Sequence, residues 1–228
     1  MRHLIWVKKV SEIVFAVPKG RILSELLPLM AKVGIKPEEE FYSKASRRLS
    51  FGTNISYLTL IRVRSFDVAT FVAYGGAQLG VTGYDTLLEF EYSNVYAPVD
   101  LGIGRCRMSL AEPRQKPEPH ALKTWDDLRV ATKYPNATQK YFNARGMTAE
   151  CIKLSGAIEL APLFGMCNRI VDLVDSGRTL AENGLEEKEV IADISSRLIV
   201  NQASWKTRGH ELDELIERFS GVRNADAS

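Results

Sequence analysis

The sequence predicts an α/β fold in two lobes, and three observations carry that prediction. Within residues 13–90 an aliphatic run, a turn signal and a helix-spaced apolar run follow one another three times, the pattern of a parallel sheet with helices on both faces. After Val95 the character changes. Gly102, Gly104 and the pair Arg105/Arg107 lead into AEPRQKPEPH, whose Pro113, Pro117 and Pro119 mark a charged surface loop near a domain boundary. A second strand–turn–helix series then starts at Trp125 and closes with residues 170–185, IVDLVDSGRTLAENGL. A chain of 228 residues, 45% hydrophobic and 25% charged, has the composition of a soluble globular protein of one large or two small domains.

Taken in order, residues 13–17 read as a short strand ending in Pro18, Lys19, Gly20 and Arg21. Ile22, Leu23, Leu26, Leu27, Met30 and Val33 then recur at helical spacing until Gly34, and Pro28 is expected to kink that helix or reset its start. Beyond Arg47 and Arg48, residues 55–63 read as a second strand with Arg64 at its carboxyl end. Asp67 is the expected N-cap of a helix over 68–74 stopped by Gly75 and Gly76. A third strand, 79–82, passes through Gly83, Tyr84 and Asp85 into a helix over 86–90.

In the second series a strand at 130–132, the loop from Lys133 to Asn136 and a helix over 137–144 come first. Residues 151–154 form the next strand, and Ser155-Gly156 opens a helix holding Glu159, Leu160 and Leu163. Ile170, Val171, Leu173 and Val174 suggest a buried strand of a parallel sheet, followed by a short helical turn that Gly184 stops. The charged run 186–189 precedes a strand over 190–200. In the tail from Trp205, Leu212, Leu215, Ile216 and Phe219 share one face of an amphipathic helix, and residues 223–228 read as frayed. Crossings near 95–105 and 183–190 assign residues 1–98 plus 187–228 to one lobe and 99–186 to the other.

Charge and cysteine content exclude several functions. A net charge of +2 gives no bulk electrostatic case for nucleic acid or a membrane surface. Cys106, Cys151 and Cys167 are odd in number, far apart and without CxxC spacing, so they read as reduced thiols of a cytoplasmic protein. The three histidines stand apart from them, which argues against a structural zinc site. Near the N-terminus the apolar run is only about five residues, too short for a signal sequence. No stretch approaches the ~18 apolar residues of a membrane span.

The residues with chemistry to offer sit where strands meet helices. In residues 170–185 a strand runs into Asp175, Ser176, Gly177, Arg178 and Thr179, whose backbone N–H groups and glycine suit an anion. Asp172 and Asp175 beside it could accept from sugar hydroxyls or hold a cation carried by a phosphate ligand, although an ordinary Gly/Ser/Asp turn has the same composition. Lys19 and Arg21 flank Gly20 at another junction, which favours a phosphate-bearing ligand; a solvated basic turn is the alternative. A cleft between the lobes is expected to gather Lys19, Arg21, Gly83, Asp85, Lys133 and the 172–179 segment. Arg48 and Arg107 read as solvated surface cations, and Cys106 and Cys151 as small core residues.

Several segments together, AVPKGR, RVRSFDVATFVAYGGAQLGVTGYDTLLE, ATKYPNATQKYF, KLSGAIELAPLFG and IVDLVDSGRTLAENGL, closely resemble the ATP phosphoribosyltransferases of histidine biosynthesis, in that family's order. The resemblance implies a two-lobed fold like a type II periplasmic binding protein, without the C-terminal ACT-like regulatory domain of the family's long form. The implied reaction condenses ATP with phosphoribosyl pyrophosphate (PRPP) to N1-(5-phosphoribosyl)-ATP and pyrophosphate. The implied partners are a second copy of the chain and a regulatory subunit resembling histidyl-tRNA synthetase, and Mg²⁺ is the implied cofactor, carried on the substrate phosphates near Asp172 rather than by a protein cage. A non-catalytic two-lobed module that binds a small ligand, and a nucleobase phosphoribosyltransferase, are the rival readings.

Residue by residue, the resemblance gives the loop of Asp175, Ser176, Gly177, Arg178 and Thr179 to the 5′-phosphate of PRPP, and Asp172 and Glu159 to its ribose hydroxyls or magnesium. Lys19, Arg21, Arg47 and Arg64 match basic positions facing the nucleotide and pyrophosphate. Gly83 and Asp85 match a GITGxD turn on the nucleotide, and Lys133 joins them from ATKYP. Arg21, Asp172 and Glu159 are thereby the implied catalytic residues. Gln78 departs from the family's usual Asp, Tyr84 from its usual Arg or Lys, and Cys167-Asn168 from its usual Ala-Asp. Gln78 and the Cys167-Asn168 pair are expected on the lobe surface or at a dimer contact.

Overall fold

Two β-sheets divide the residues that the computed structural model describes, 12–115 and 128–225, into two units. The first takes described residues 12–86, 92–104 and 196–225; the second takes 87–91, 105–115 and 128–195.

In the first unit the sheet is built from β1 (Ile13–Pro18), β2 (Ser50–Gly52), β3 (Leu58–Val63), β4 (Leu79–Gly83) and β5 (Val95–Asp100). The chain's last strand, β11 (Ser196–Asn201), returns to it from the second unit, giving the order β2-β3-β1-β4-β11-β5. β1 lies parallel to β3 and β4, with Phe15 opposite Leu60 on one side and Leu79 on the other. Ile13, Phe15, Ala16 and Val17 are wholly buried, as a central strand covered on both faces requires. The helices α1 (Arg21–Lys32) and α8 (Gly209–Ala225) cover this core. Leu26 and Met30 of α1 and Leu212, Leu215, Ile216 and Phe219 of α8 turn inward, and the Phe219 ring meets Phe15 edge-on at 6.0 Å. Each such side chain contributes about 1.5–3 kcal/mol on burial. β5 holds Pro98 and lies at the sheet edge, where a missing N–H breaks no ladder.

The second unit's sheet runs β10-β6-β9-β7-β8, with β6 (Cys106–Pro113), β7 (Arg129–Thr132), β8 (Glu150–Lys153), β9 (Arg169–Val174) and β10 (Leu185–Ile194). β7 is parallel to both β8 and β9, while β6 is antiparallel to β9 and β10 to β6. Its core includes Ala111, Ala131, Ile158, Cys167, Ile170, Val174, Leu180 and Leu185.

The fold is therefore mixed α/β, with three neighbouring parallel strands in each sheet, β3-β1-β4 inside the first and β9-β7-β8 running to the edge of the second. Several expectations are corrected. The strand expected over 190–200 is two strands, β10 and β11, in different sheets; the break falls at Ser195, in the polar stretch Ser195-Ser196-Arg197, with no Gly or Pro to mark it. The charged run 186–189, expected to precede the strand, is part of β10, with Glu187 paired to Arg107 and Glu189 to Arg145. Helix α2 (Ser65–Ala73) starts two residues before Asp67, with Arg64 as N-cap, so Asp67 sits in the first turn and opposes the positive helix end instead of capping it. The second strand begins at Leu58 rather than residue 55. Pro28 lies within α1, which runs through it as one element. The tail expected as one helix from Trp205 is two, α7 (Gln202–Thr207) and α8, and α8 continues to Ala225. Of the Pro-rich loop expected over 111–120, Ala111, Glu112 and Pro113 are the end of strand β6; its residues beyond 115 and the start at Trp125 lie outside the described residues, as do residues 226–228.

Candidate active site

Open α/β sheets offer ligands the loops beyond the carboxyl ends of their parallel strands, and the implied site residues lie there in both units. In the first, Lys19, Gly20 and Arg21 follow β1, Arg64 follows β3, and Gly83 and Asp85 stand at the end of β4 and the start of α3 (Tyr84–Phe90). Arg47 precedes β2; because β2 is antiparallel to β3, with Ser50 opposite Ile61, Arg47 comes to the same edge. Lys19, Arg21, Arg47 and Arg64 are all exposed, and Arg21 leans on Glu25 at 3.6 Å. Arg48, by contrast, is committed to Glu38 and Glu40 at 2.8 and 2.9 Å.

Asp85 is buried, 7% exposed, at the start of α3. A Cβ on Gly83 would lie 2.0 Å from its Oδ1, so only glycine leaves the carboxylate where it is. Tyr84 carries the guanidinium of Arg197, from β11, 5.0 Å above its ring, and Arg197 also reaches Asp100 at 3.3 Å. Sequence reasoning missed Arg197, since nothing local links it to a tyrosine far back in the chain.

In the second unit the parallel strands β7, β8 and β9 end side by side. Lys133 follows β7, its Nζ 5.8 Å from the Tyr134 ring centroid; Glu159 closes the turn after β8; the 175–179 loop follows β9. Thr132, fully buried, accepts from the N–H of Tyr134 at 2.9 Å and fixes the loop that carries Lys133. The turn before Glu159 puts Ala157 at φ 52, a left-handed conformation that costs a non-glycine residue about 1–2 kcal/mol. Glu159 is half-buried and is the N-cap of α5 (Leu160–Leu163).

The 175–179 loop turns on Gly177, at φ 77 and ψ 0, which is the N-cap of α6 (Arg178–Glu182). The N–H groups of the first helical turn have no intrahelical acceptor, and Asp175, Ser176, Arg178 and Thr179 are exposed. Asp172 is half-buried in β9; its Oδ1 accepts from the Leu173 N–H at 2.8 Å, and it lies opposite Ser109 of β6. Behind the loop, Arg107 donates through Nη1 to the Asp175 carbonyl at 2.8 Å and forks onto Glu187. That contact corrects the reading of Arg107 as a solvated cation. Its guanidinium holds the Glu187 carboxyl below the usual range. No sequence signal could have found this pair, whose members stand 80 residues apart.

The departures from the family pattern lie inside the units, not on their surfaces. Gln78 is buried and accepts from the Val14 N–H at 2.8 Å, tying β1 to the start of β4. Cys167 and Asn168 are buried too, and burial raises the Cys167 thiol. Among the described residues no three His, Cys, Asp or Glu side chains gather as a metal site, and no helix is long and apolar enough to cross a membrane.

The family model of ATP phosphoribosyltransferase matches residues 64–221. The ATP phosphoribosyltransferase of Rhizorhabdus wittichii is 58% identical over 92% of this chain and 95% of its own length, and that of Rhodospirillum rubrum is 52% identical over 96% of each. Among solved structures, a chain of the ATP phosphoribosyl transferase (HisG:HisZ) complex from Thermotoga maritima superposes with a TM-score of 0.78 at 33% identity, covering 95% of this chain and all of that one. The periplasmic VFT2 domain of Bordetella pertussis BvgS, with a TM-score of 0.55 at 14% identity, over 96% of this chain and 88% of that one, shares the fold alone.

Proposed function

This chain belongs to the ATP phosphoribosyltransferase family, and we propose that it condenses ATP with PRPP to N1-(5-phosphoribosyl)-ATP and pyrophosphate, opening histidine biosynthesis. The observation that carries this reading is the 175–179 loop, a left-handed glycine turn opening a helix at the same sheet edge as Lys133 and Glu159.

In the reaction, adenine N1 attacks C1 of the ribose, the C1–O bond to pyrophosphate breaks, and configuration inverts. The nucleophile belongs to the substrate, so the protein supplies no Ser or Cys; it positions two polyanions and stabilises the charge that builds on the leaving group. The second unit is the PRPP side. There the amides and the Ser176 and Thr179 hydroxyls hold the 5′-phosphate, and Asp172 and Glu159 address the ribose hydroxyls. The first unit is the nucleotide side, with Lys19, Arg21, Arg47 and Arg64 on phosphates and the Gly83–Asp85 turn on the nucleotide. Mg²⁺ enters with the substrates. The donor set suits that, because magnesium takes one or two carboxylates beside substrate phosphates, and Asp172 and Glu159 can each lend one.

The chain acts in the cytoplasm as a homodimer and takes a HisZ-like regulatory subunit, a partnership supported by its likeness to the Thermotoga maritima complex. Histidine inhibition should then be weak for this chain alone and strong once the partner is added. The direct test is incubation with ATP, PRPP and Mg²⁺, following the ultraviolet absorbance of N1-substituted adenine and the release of pyrophosphate. Turnover of a free base in place of ATP, or binding without turnover, would overturn the assignment.

A further inference from the structure

Every side chain of the loop proposed for PRPP is exposed, so something other than core packing must hold its peptide planes. Register shows what is available. β6 lies antiparallel to β9 with Arg107 opposite Val174, the last residue before the loop, and Ser109 opposite Asp172. β10 lies on the other side of β6 and contributes Glu187 next to a shift in register. Arginine has five N–H donors in a rigid fork. Here Nε and Nη2 go to the two Glu187 oxygens, while Nη1 goes to the Asp175 carbonyl at 2.8 Å. Buried Ser109 donates to Glu187 Oε1 at 2.7 Å and keeps that carboxylate from swinging away.

We propose that Arg107, steadied by Glu187 and Ser109, is a positioning residue for PRPP: by gripping the Asp175 carbonyl it sets the first peptide plane of the phosphate loop. The carbonyl of Asp175 and the N–H of Ser176 belong to one planar trans peptide and point in opposite directions. Drawing the oxygen toward Arg107 therefore turns the Ser176 N–H away from it and keeps a carbonyl dipole from facing the anion. Arg107 acts through the backbone and does not touch the substrate. The inference deepens the assignment of this loop to PRPP and rests on it.

The test compares Arg107→Ala, Arg107→Lys, Glu187→Ala and Thr179→Ala in the full chain, measuring KM for PRPP, KM for ATP, kcat and Tm. Removing the arginine should raise KM for PRPP about tenfold with KM for ATP unchanged. Its ion pair is partly exposed, so Tm should barely move. Lysine should recover little, since one ammonium cannot hold a fork and a carbonyl together. Glu187→Ala leaves the cation in place but unsteadied and should weaken PRPP in the same direction. Tighter PRPP binding in Glu187→Ala would mean that Arg107 is a direct phosphate ligand and would overturn the proposal. Unchanged KM for PRPP in Arg107→Ala, or a loss shared equally with ATP, would overturn it as well. If Thr179→Ala also leaves KM for PRPP untouched, it is the loop assignment that has failed.

Discussion

A glycine stands in each of the two loop sets, and the two do opposite things. At the end of β4, Gly83 has an ordinary backbone and gives up space: its missing Cβ leaves Asp85 Oδ1 where a methyl would stand 2.0 Å away. After β9, Gly177 has space to spare, since a Cβ would meet only Val174 Cγ1 at 3.9 Å, and gives up conformation instead, with φ at 77. The first unit presents side chains, one buried carboxylate among exposed cations. The second turns its backbone at a left-handed residue, with the Asp175 carbonyl held from behind by Arg107. One edge is set chiefly by charge, the other chiefly by backbone shape.

The sharpest way to break this contrast is Gly177→Val. A β-branched residue at positive φ is strained by about 1–3 kcal/mol, and the loop can relieve that only by turning its peptides. PRPP kcat/KM should fall about 100-fold while ATP binding stays level, read by steady-state kinetics with each substrate varied. A loss equal for both substrates would mean that the two loop sets are not separate binding devices. Gly83→Ala should be milder, about tenfold in ATP binding, because no backbone strain arises and a short side chain can step aside. Calorimetric titration with ATP checks it; unchanged affinity would remove Asp85 from the nucleotide site.

How much of this was legible in the sequence follows from the kind of force at work. The left-handed turn at 175–179 was readable, since Gly177 is the residue such a backbone demands, and so was the inward face of α8, whose Leu212, Leu215, Ile216 and Phe219 recur at helical spacing. The break between β10 and β11 was not, because no Gly or Pro stands at Ser195 and only long-range pairing assigns the halves to different sheets. Arg107 was misjudged for the same reason: nothing in its neighbourhood along the chain signals a partner in β10. Gln78 and Asn168 were placed outside because polar residues are usually exposed, whereas Gln78 is buried with its oxygen on the Val14 N–H.

The smallest expected effect concerns a second carboxylate on α3, four residues beyond Asp85 and grouped with the other unit. Glu89 is buried and its Oε2 accepts from the N–H groups of Asn136 and Ala137, at 3.0 and 3.1 Å, where α4 (Pro135–Asn143) begins. Burial raises its pKa, and those two donors only partly offset it. An acid whose folded pKa is raised stabilises the fold fully below its unfolded value, near 4.3 for glutamate, and loses that contribution as pH climbs through the folded value. Glu89→Gln keeps an oxygen for the two N–H groups and removes the titration. Relative to the parent chain, the variant should therefore gain stability between about pH 4 and about pH 8, measured by urea unfolding at each. Kinetic constants for ATP should not change, in contrast to substitution at Gly83. A parent chain that gains on the variant as pH rises would mean that the two N–H groups outweigh burial, and that Glu89 anchors α4 as an anion.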